Sequence, residues 1–222
     1  MKLSKPTLDI LKNFTTIYEG LVVKQGNTLR TVDKGKTILA QAVVDETFPS
    51  DFAISDLNQI LAILSLSKDS TEIDVKGNDI VITGLNGRSK ITYRCCDPEL
   101  LKKPQDKNIT LPTQDVTFLL TEADLDWITK SSNVLACPNI AIVRSRGILS
   151  IRLLDAQNDS AHTDTLEIEK QEGPDHFLLF KTENWKMIPG TYEVVISAKG
   201  ISYFKNTARK IEYWIALDQK GK

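Results

Sequence analysis

Few residues in this chain could make or break bonds. Its two histidines, His162 and His176, share no metal-ligand spacing with any cysteine or acidic residue, and no glycine-rich phosphate loop, HExxH or GxSxG pattern occurs. The three cysteines, Cys95, Cys96 and Cys137, are odd in number and two are adjacent, which argues against a disulfide framework and fits a reducing compartment. Cys137 with a distant histidine would form a thiol dyad, but a lone cysteine before proline behaves as a small buried hydrophobe. Neither catalysis nor a metal or other cofactor is expected. What remains is charge. In MKLSKPTLDILKNF, Lys5 and Lys12 stand seven residues apart, opposite an edge marked by Leu3, Ile10, Phe14 and Ile17. A lysine face on a helix attracts phosphate without reacting with it.

The elements that must carry such a face belong to an ordinary globular chain. Its 222 residues are 41% hydrophobic and 26% charged, enough for one large domain or two smaller ones, each with a core. The net charge of −1 excludes a strongly basic histone-type binder, so any surface that attracts nucleic acid must be local. No apolar run of about 18 residues offers a membrane span. The first residues lack the apolar stretch and cleavage site of a secretory signal, which predicts an intracellular protein with no membrane partner.

The clearest break is CCDPELLKKPQDKNITLPTQD, residues 95–115, where Pro98, Pro104 and Pro112 interrupt periodicity. It separates a first domain, 1–108, from a second, 109–222. Each half repeats one order of elements: a helix, alternating strands, a second short helix, then hairpin strands. TLDILK resembles DLDWITK, and DFAISDLNQIL resembles HFLLFKTENWKM, so the chain reads as a weak internal duplication. Turn signals KQGN, DKGK, KGND, LNGR and SRG fit hairpins rather than βαβ crossovers. The fold class is therefore α+β: two similar domains, each an antiparallel sheet with about two helices on one face.

Four helices are predicted. In 4–17 the apolar arc faces inward and Lys5 and Lys12 lie about 20° apart on the far side. In 56–66 the narrow polar face is Ser55, Asn58, Ala62 and Ser65, with Lys68 only beyond the end. In 122–135, Thr121 and Asp124 form a capping box, Trp127, Ile128, Val134 and Leu135 group loosely, and Lys130 lies opposite with Asp126 and Asn133. In KTENWKMIP the cap is Thr182, Lys186 falls in the last turn and Pro189 ends the helix.

MKLSK, LKNF, DLNQILAILSL, KMIPGTY and AKG, in this order along nearly the whole chain, resemble the DNA polymerase sliding clamps of T4-like bacteriophages. That resemblance implies a homotrimeric ring with two clamp-type domains per subunit, helices lining the hole and sheets forming the shell. It further implies a processivity factor that encircles double-stranded DNA without reading sequence, works with DNA polymerase and a clamp loader, and acts in the cytoplasm of an infected bacterial host. Twelve helices spaced roughly 9 Å apart would enclose a hole of roughly 25 Å, enough for a B-form duplex with water. By matching onto the family, Lys5, Lys12, Lys130 and Lys186 would face the DNA, with Lys68 and Lys181 in weaker positions. Asp9 and Asp126 would temper that potential. Partner tails would dock near the connector, at Leu111, Pro112 and the terminal strand EYWIAL, with Ile215 and Leu217 as contacts. Edge strands of one subunit's first domain would meet the next subunit's second domain. The alternative reading is a protein-interaction scaffold of two α+β domains with no role on DNA.

Overall fold

The computed structural model describes residues 1–66, 71–105 and 109–218. The chain forms two compact units, Met1–Lys107 with Lys210–Glu212, and Asn108–Arg209 with Tyr213–Lys222.

The first unit opens with helix α1 (Lys5–Ile17), capped by Ser4, whose side chain accepts from the Thr7 amide at 3.4 Å. Pro6 sits in the first turn, where its missing N–H costs nothing. The predicted arc is buried: Thr7, Ile10, Leu11, Phe14 and Ile17 face the core, and Phe14 is fully enclosed. Strands β1 (Leu21–Val23), β2 (Gly26–Val32), β3 (Ile38–Phe48) and β4 (Phe52–Ile54) follow, β1 pairing with β4 and β2 with β3. Asp33 fixes the β2–β3 turn by accepting from the amides of Thr37 at 2.6 Å and Ile38 at 2.8 Å. Helix α2 (Leu57–Ser65) is capped by Asp56 and buries Leu57, Ile60 and Leu64. Strands β5 (Glu72–Lys76), β6 (Asp79–Gly84) and β7 (Ser89–Arg94) form an antiparallel sheet in that order. Met1 lies along β5, the Ile73 amide donating to its carbonyl at 2.7 Å.

The second unit repeats the programme. Strand β8 (Val116–Leu120) leads into helix α3 (Glu122–Val134), where the Thr121–Asp124 capping box forms as predicted. Strands β9 (Asn139–Ser145), β10 (Ile148–Leu154), β11 (Asp164–Lys170) and β12 (His176–Lys181) make a sheet of order β11-β10-β9-β12. The β9–β10 hairpin turns on Arg146 and Gly147, both at positive φ (53° and 73°), the backbone a two-residue hairpin loop demands. Strands β13 (Tyr192–Ser197), β14 (Ile201–Asn206) and β15 (Ile211–Ala216) complete the unit, with β13 between β8 and β14. The two orders correspond: β1–β4 to β9–β12, β2–β3 to β10–β11, and Met1 beside β5 to β8 beside β13.

Two expectations need correction. The helix predicted after Thr182 contracts to a single 3₁₀ turn, Thr182–Asn184. The Thr182 hydroxyl donates to the Cys137 carbonyl at 2.8 Å instead of capping, and Trp185 leaves the helical region to stand edge-on to Phe180 and Phe204. The second unit therefore carries one α-helix among its described residues. In α3 the buried residues are Leu125, Ile128 and Ser132, whereas Val134, grouped with the apolar side, is 83% exposed. The helix ends at Val134, beyond the reach of the core. Among the described residues no helix is long and apolar enough to cross a membrane.

Candidate functional site

Cationic side chains on helices are the strongest candidate feature, and their local partners differ. Lys5 and Lys12 are exposed on α1, opposite its buried arc, and neither enters an ion pair among the described residues. Lys130 is exposed on α3 but bonded to Asp126, one turn earlier, at 2.6 Å. Lys181 closes β12 and pairs loosely with Glu183 at 3.6 Å. Lys186, half-buried, follows the 3₁₀ turn and has an interaction partner of its own. Lys68 lies outside the described residues. Helix α2 exposes Asn58, Gln59, Ala62 and Ser65 and carries no positive charge. Among the described residues the absence of an ion pair therefore sets Lys5 and Lys12 apart from Lys130 and Lys181.

One feature that holds α1 in place escaped the sequence. Glu46 of β3 accepts from the Thr7 hydroxyl at 2.5 Å and from the Ser4 amide, at the helix's first turn. Partial burial opposes its charge, but the bonds from Thr7 and Ser4 outweigh that and hold the carboxyl below its ordinary range. A depressed carboxylate contributes stability above the ordinary value of about 4.3 and loses it as pH falls through the depressed one. Glu46→Ala is expected to destabilise the first unit by about 1–2 kcal/mol near neutral pH. In thermal melts across pH, the gap between wild type and variant should close below about pH 4; a gap that stays constant would refute the tether. No spacing within α1 points to residue 46, so only the fold could reveal it.

The predicted partner residues separate by strand parity. Ile215 is fully buried and faces the core of β15 with Ile211 and Tyr213. Its neighbour Trp214 takes the outer face, half-exposed, with its ring 5.2 Å from Tyr203. Leu217 is half-buried and donates its amide to the Gly200 carbonyl at 3.0 Å. Leu111 is half-buried and Pro112 exposed. In the first unit, Val22, Lys24, Thr28 and Arg30 face Lys103, Pro104 and Gln105 of the connector across a groove of about 740 Å³. Arg30 bonds the Gln105 carbonyl at 3.1 Å through Nη1, while its Nε has no partner among the described residues.

Among the described residues no group of three or more histidine, cysteine or acidic side chains could hold a metal. All three cysteines are free, and burial pushes each thiol above its ordinary value.

Comparison with known proteins agrees over both halves. Residues 2–100 match a family described as DNA polymerase processivity factor, and residues 116–219 match gp45 sliding clamp, C terminal. The sliding clamp of Vibrio phage KVP40 is 32% identical over 98% of this chain and 99% of its own. That of Enterobacteria phage T4 is 34% identical over 98% and 97%. The crystal structure of PCNA from Thermococcus kodakaraensis superposes with a TM-score of 0.70 over 96% of both chains at 13% identity, a likeness of fold.

Proposed function

Because the chain belongs to the family of phage sliding clamps, we propose that it closes as a homotrimer around double-stranded DNA and slides without reading sequence. It is a DNA polymerase processivity factor and not an enzyme. The observation that carries the DNA-facing assignment is the freedom of Lys5 and Lys12 on the exposed face of α1. Free ammonium groups attract phosphate at modest strength, which suits a surface that must move along the backbone. Lys130, already bonded to Asp126, contributes less, and Lys186, Lys181 and Lys68 rank below it.

Ring closure joins the first domain of one copy, 1–108, to the second domain, 109–222, of the next. The open edges of β7 and β11, each terminal in its sheet, support this reading. DNA polymerase and the clamp loader dock through short tails near Leu111, Pro112 and Leu217. Trp214 is the terminal strand's accessible contact in place of the enclosed Ile215. The groove beside Arg30 suits a tail that ends in a carboxylate through the Arg30 guanidinium, whose Nε has no partner among the described residues, Lys24 and Lys103 being paired with Asp51 and Glu99. The site of action is the cytoplasm of the infected host.

Absolute mass by light scattering on a sizing column tests the ring. A species near 3 × 24.8 = 74.4 kDa is expected, retained on circular DNA and lost when that DNA is linearised. Equal retention on circular and linear DNA would exclude encirclement.

A further inference from the structure

Most strand edges among the described residues are covered. Beside β5 the Ile73 amide bonds Met1 at 2.7 Å, beside β12 the Asp218 amide bonds Leu179 at 2.7 Å, and beside β4 the Cys96 amide bonds Ala53 at 3.0 Å. On β8 the Thr117 carbonyl takes the Gln171 amide side chain at 2.6 Å. Strands β7 and β11 end their sheets with no such cover among the described residues, and an open edge pairs with any suitable strand unless chemistry restricts it.

The restriction is charge. Strand β7, SKITYR, carries Lys90 and Arg94 and no acid, and Arg88 precedes it. Strand β11, DTLEIEK, carries Asp164, Glu167 and Glu169 against a single Lys170. Arg88, Lys90, Arg94 and Glu167 are exposed and form no ion pair among the described residues. Alternation places Ile91 and Tyr93 on one face of β7 and Lys90, Thr92 and Arg94 on the other; on β11, Leu166 takes the inner face and Thr165 and Glu167 the outer. Ile91 and Leu166 remain half-buried, apolar side chains that an added strand would finish covering. Other charges share these outer faces: Asp79 across from Arg94 and Arg152 across from Thr165 one strand further in, Glu72, Asp74 and Lys76 two strands in on β5, and Lys170 on β11 itself.

We propose that β7 and β11 form an electrostatic latch between copies of this chain, in which opposite charge selects the head-to-tail seam and makes ring opening salt-sensitive. The proposal rests on the ring reading above. Joining β7 to β7 would place cation against cation, and β11 to β11 acid against acid, so only the heterologous pairing satisfies both strands. In the antiparallel join the inner apolar rows meet and Glu167 falls opposite or diagonal to the basic residues of β7.

The test measures the trimer's dissociation constant as a function of salt and charge. Raising salt from about 50 to about 500 mM should weaken the wild-type trimer about tenfold. Lys90→Glu and Glu167→Lys should each weaken it by about tenfold or more at low salt. Their own cross-strand neighbours, Thr83 and Ser150, are uncharged, so the fold should survive, as a thermal melt of each variant would verify. The chain carrying both reversals should recover to within about threefold of wild type and should refuse to exchange subunits with it. A trimer indifferent to salt, or a double variant no better than its parents, overturns the latch and leaves the ring standing. A wild-type chain that is monomeric at every concentration and salt overturns both.

Discussion

Reversing Lys5 and Lys12 together should abolish most of the processivity this protein confers while leaving its assembly and melting temperature unchanged. The two side chains are exposed and make no ion pair among the described residues, so Glu in their place disturbs no packing. In a trimer the change removes six cations from the DNA-facing surface, and every phosphate that goes unneutralised as a result should lower the slope of log affinity against log salt by about 0.9. Product length at about 150 mM salt should fall at least about tenfold, and because the variant's slope is shallower its affinity deficit should widen in dilute buffer. Lys130→Glu alone should do far less, because Asp126 already offsets that charge. Full-length products from the double variant on an intact ring would remove α1 from the DNA-facing surface.

The second large effect concerns stability. Tyr192 and Tyr213 are fully buried in the second unit, rings 6.0 Å apart. The Tyr192 hydroxyl donates to the Ile188 carbonyl at 2.5 Å, and the Tyr213 hydroxyl accepts from the Ile188 amide at 3.1 Å. Together they satisfy both backbone groups of the residue that precedes Pro189. Tyr213→Ala should cost about 3–5 kcal/mol in a denaturant melt. Tyr213→Phe, which keeps the ring but orphans the Ile188 amide, should cost about 1–3 kcal/mol. A Tyr213→Phe variant as stable as wild type would show that packing alone matters there. Burial pushes the Tyr192 phenol up to about 12 and raises that of Tyr213 as well. These neutral phenols therefore contribute stability that is complete below about pH 10, the ordinary tyrosine value, and lost as pH rises beyond it. Tyrosinate absorbance should show both rings silent until the unit unfolds.

How much of the fold and the site is legible in the sequence depends on what each signal encodes. Periodicity locates α1, α2 and α3, and the Thr121–Asp124 capping box marks the start of α3; Ser4 and Asp56 bond the first turns of the other two in the structure. The same signals fail after Thr182. Its hydroxyl has a better partner in the Cys137 carbonyl, a tertiary interaction that no local pattern records. In the terminal strand the consecutive apolar residues Tyr213, Trp214 and Ile215 hide the parity, so the sequence does not show that Ile215 is enclosed while Trp214 takes the outer face. The freedom of Lys5 and Lys12 compared with Lys130 depends on side-chain geometry, although Asp126 at four residues' distance is a visible hint. The charges of β7 and β11 stand in plain sight in SKITYR and DTLEIEK. That these strands are edges is a property of sheet order, invisible until the strands are paired.

The difference between those two edges also bears on direction. A seam that joins β7 to β11 runs one way around the ring, so the two faces of the assembly are chemically different. Duplex DNA offers no matching cue: its backbones are antiparallel, and a surface that touches only phosphates meets the same pattern from either end. A ring threaded backwards would slide as well as one threaded forwards. The sense in which it faces a primer end must then be imposed from outside, by whichever protein first grips one face and not the other.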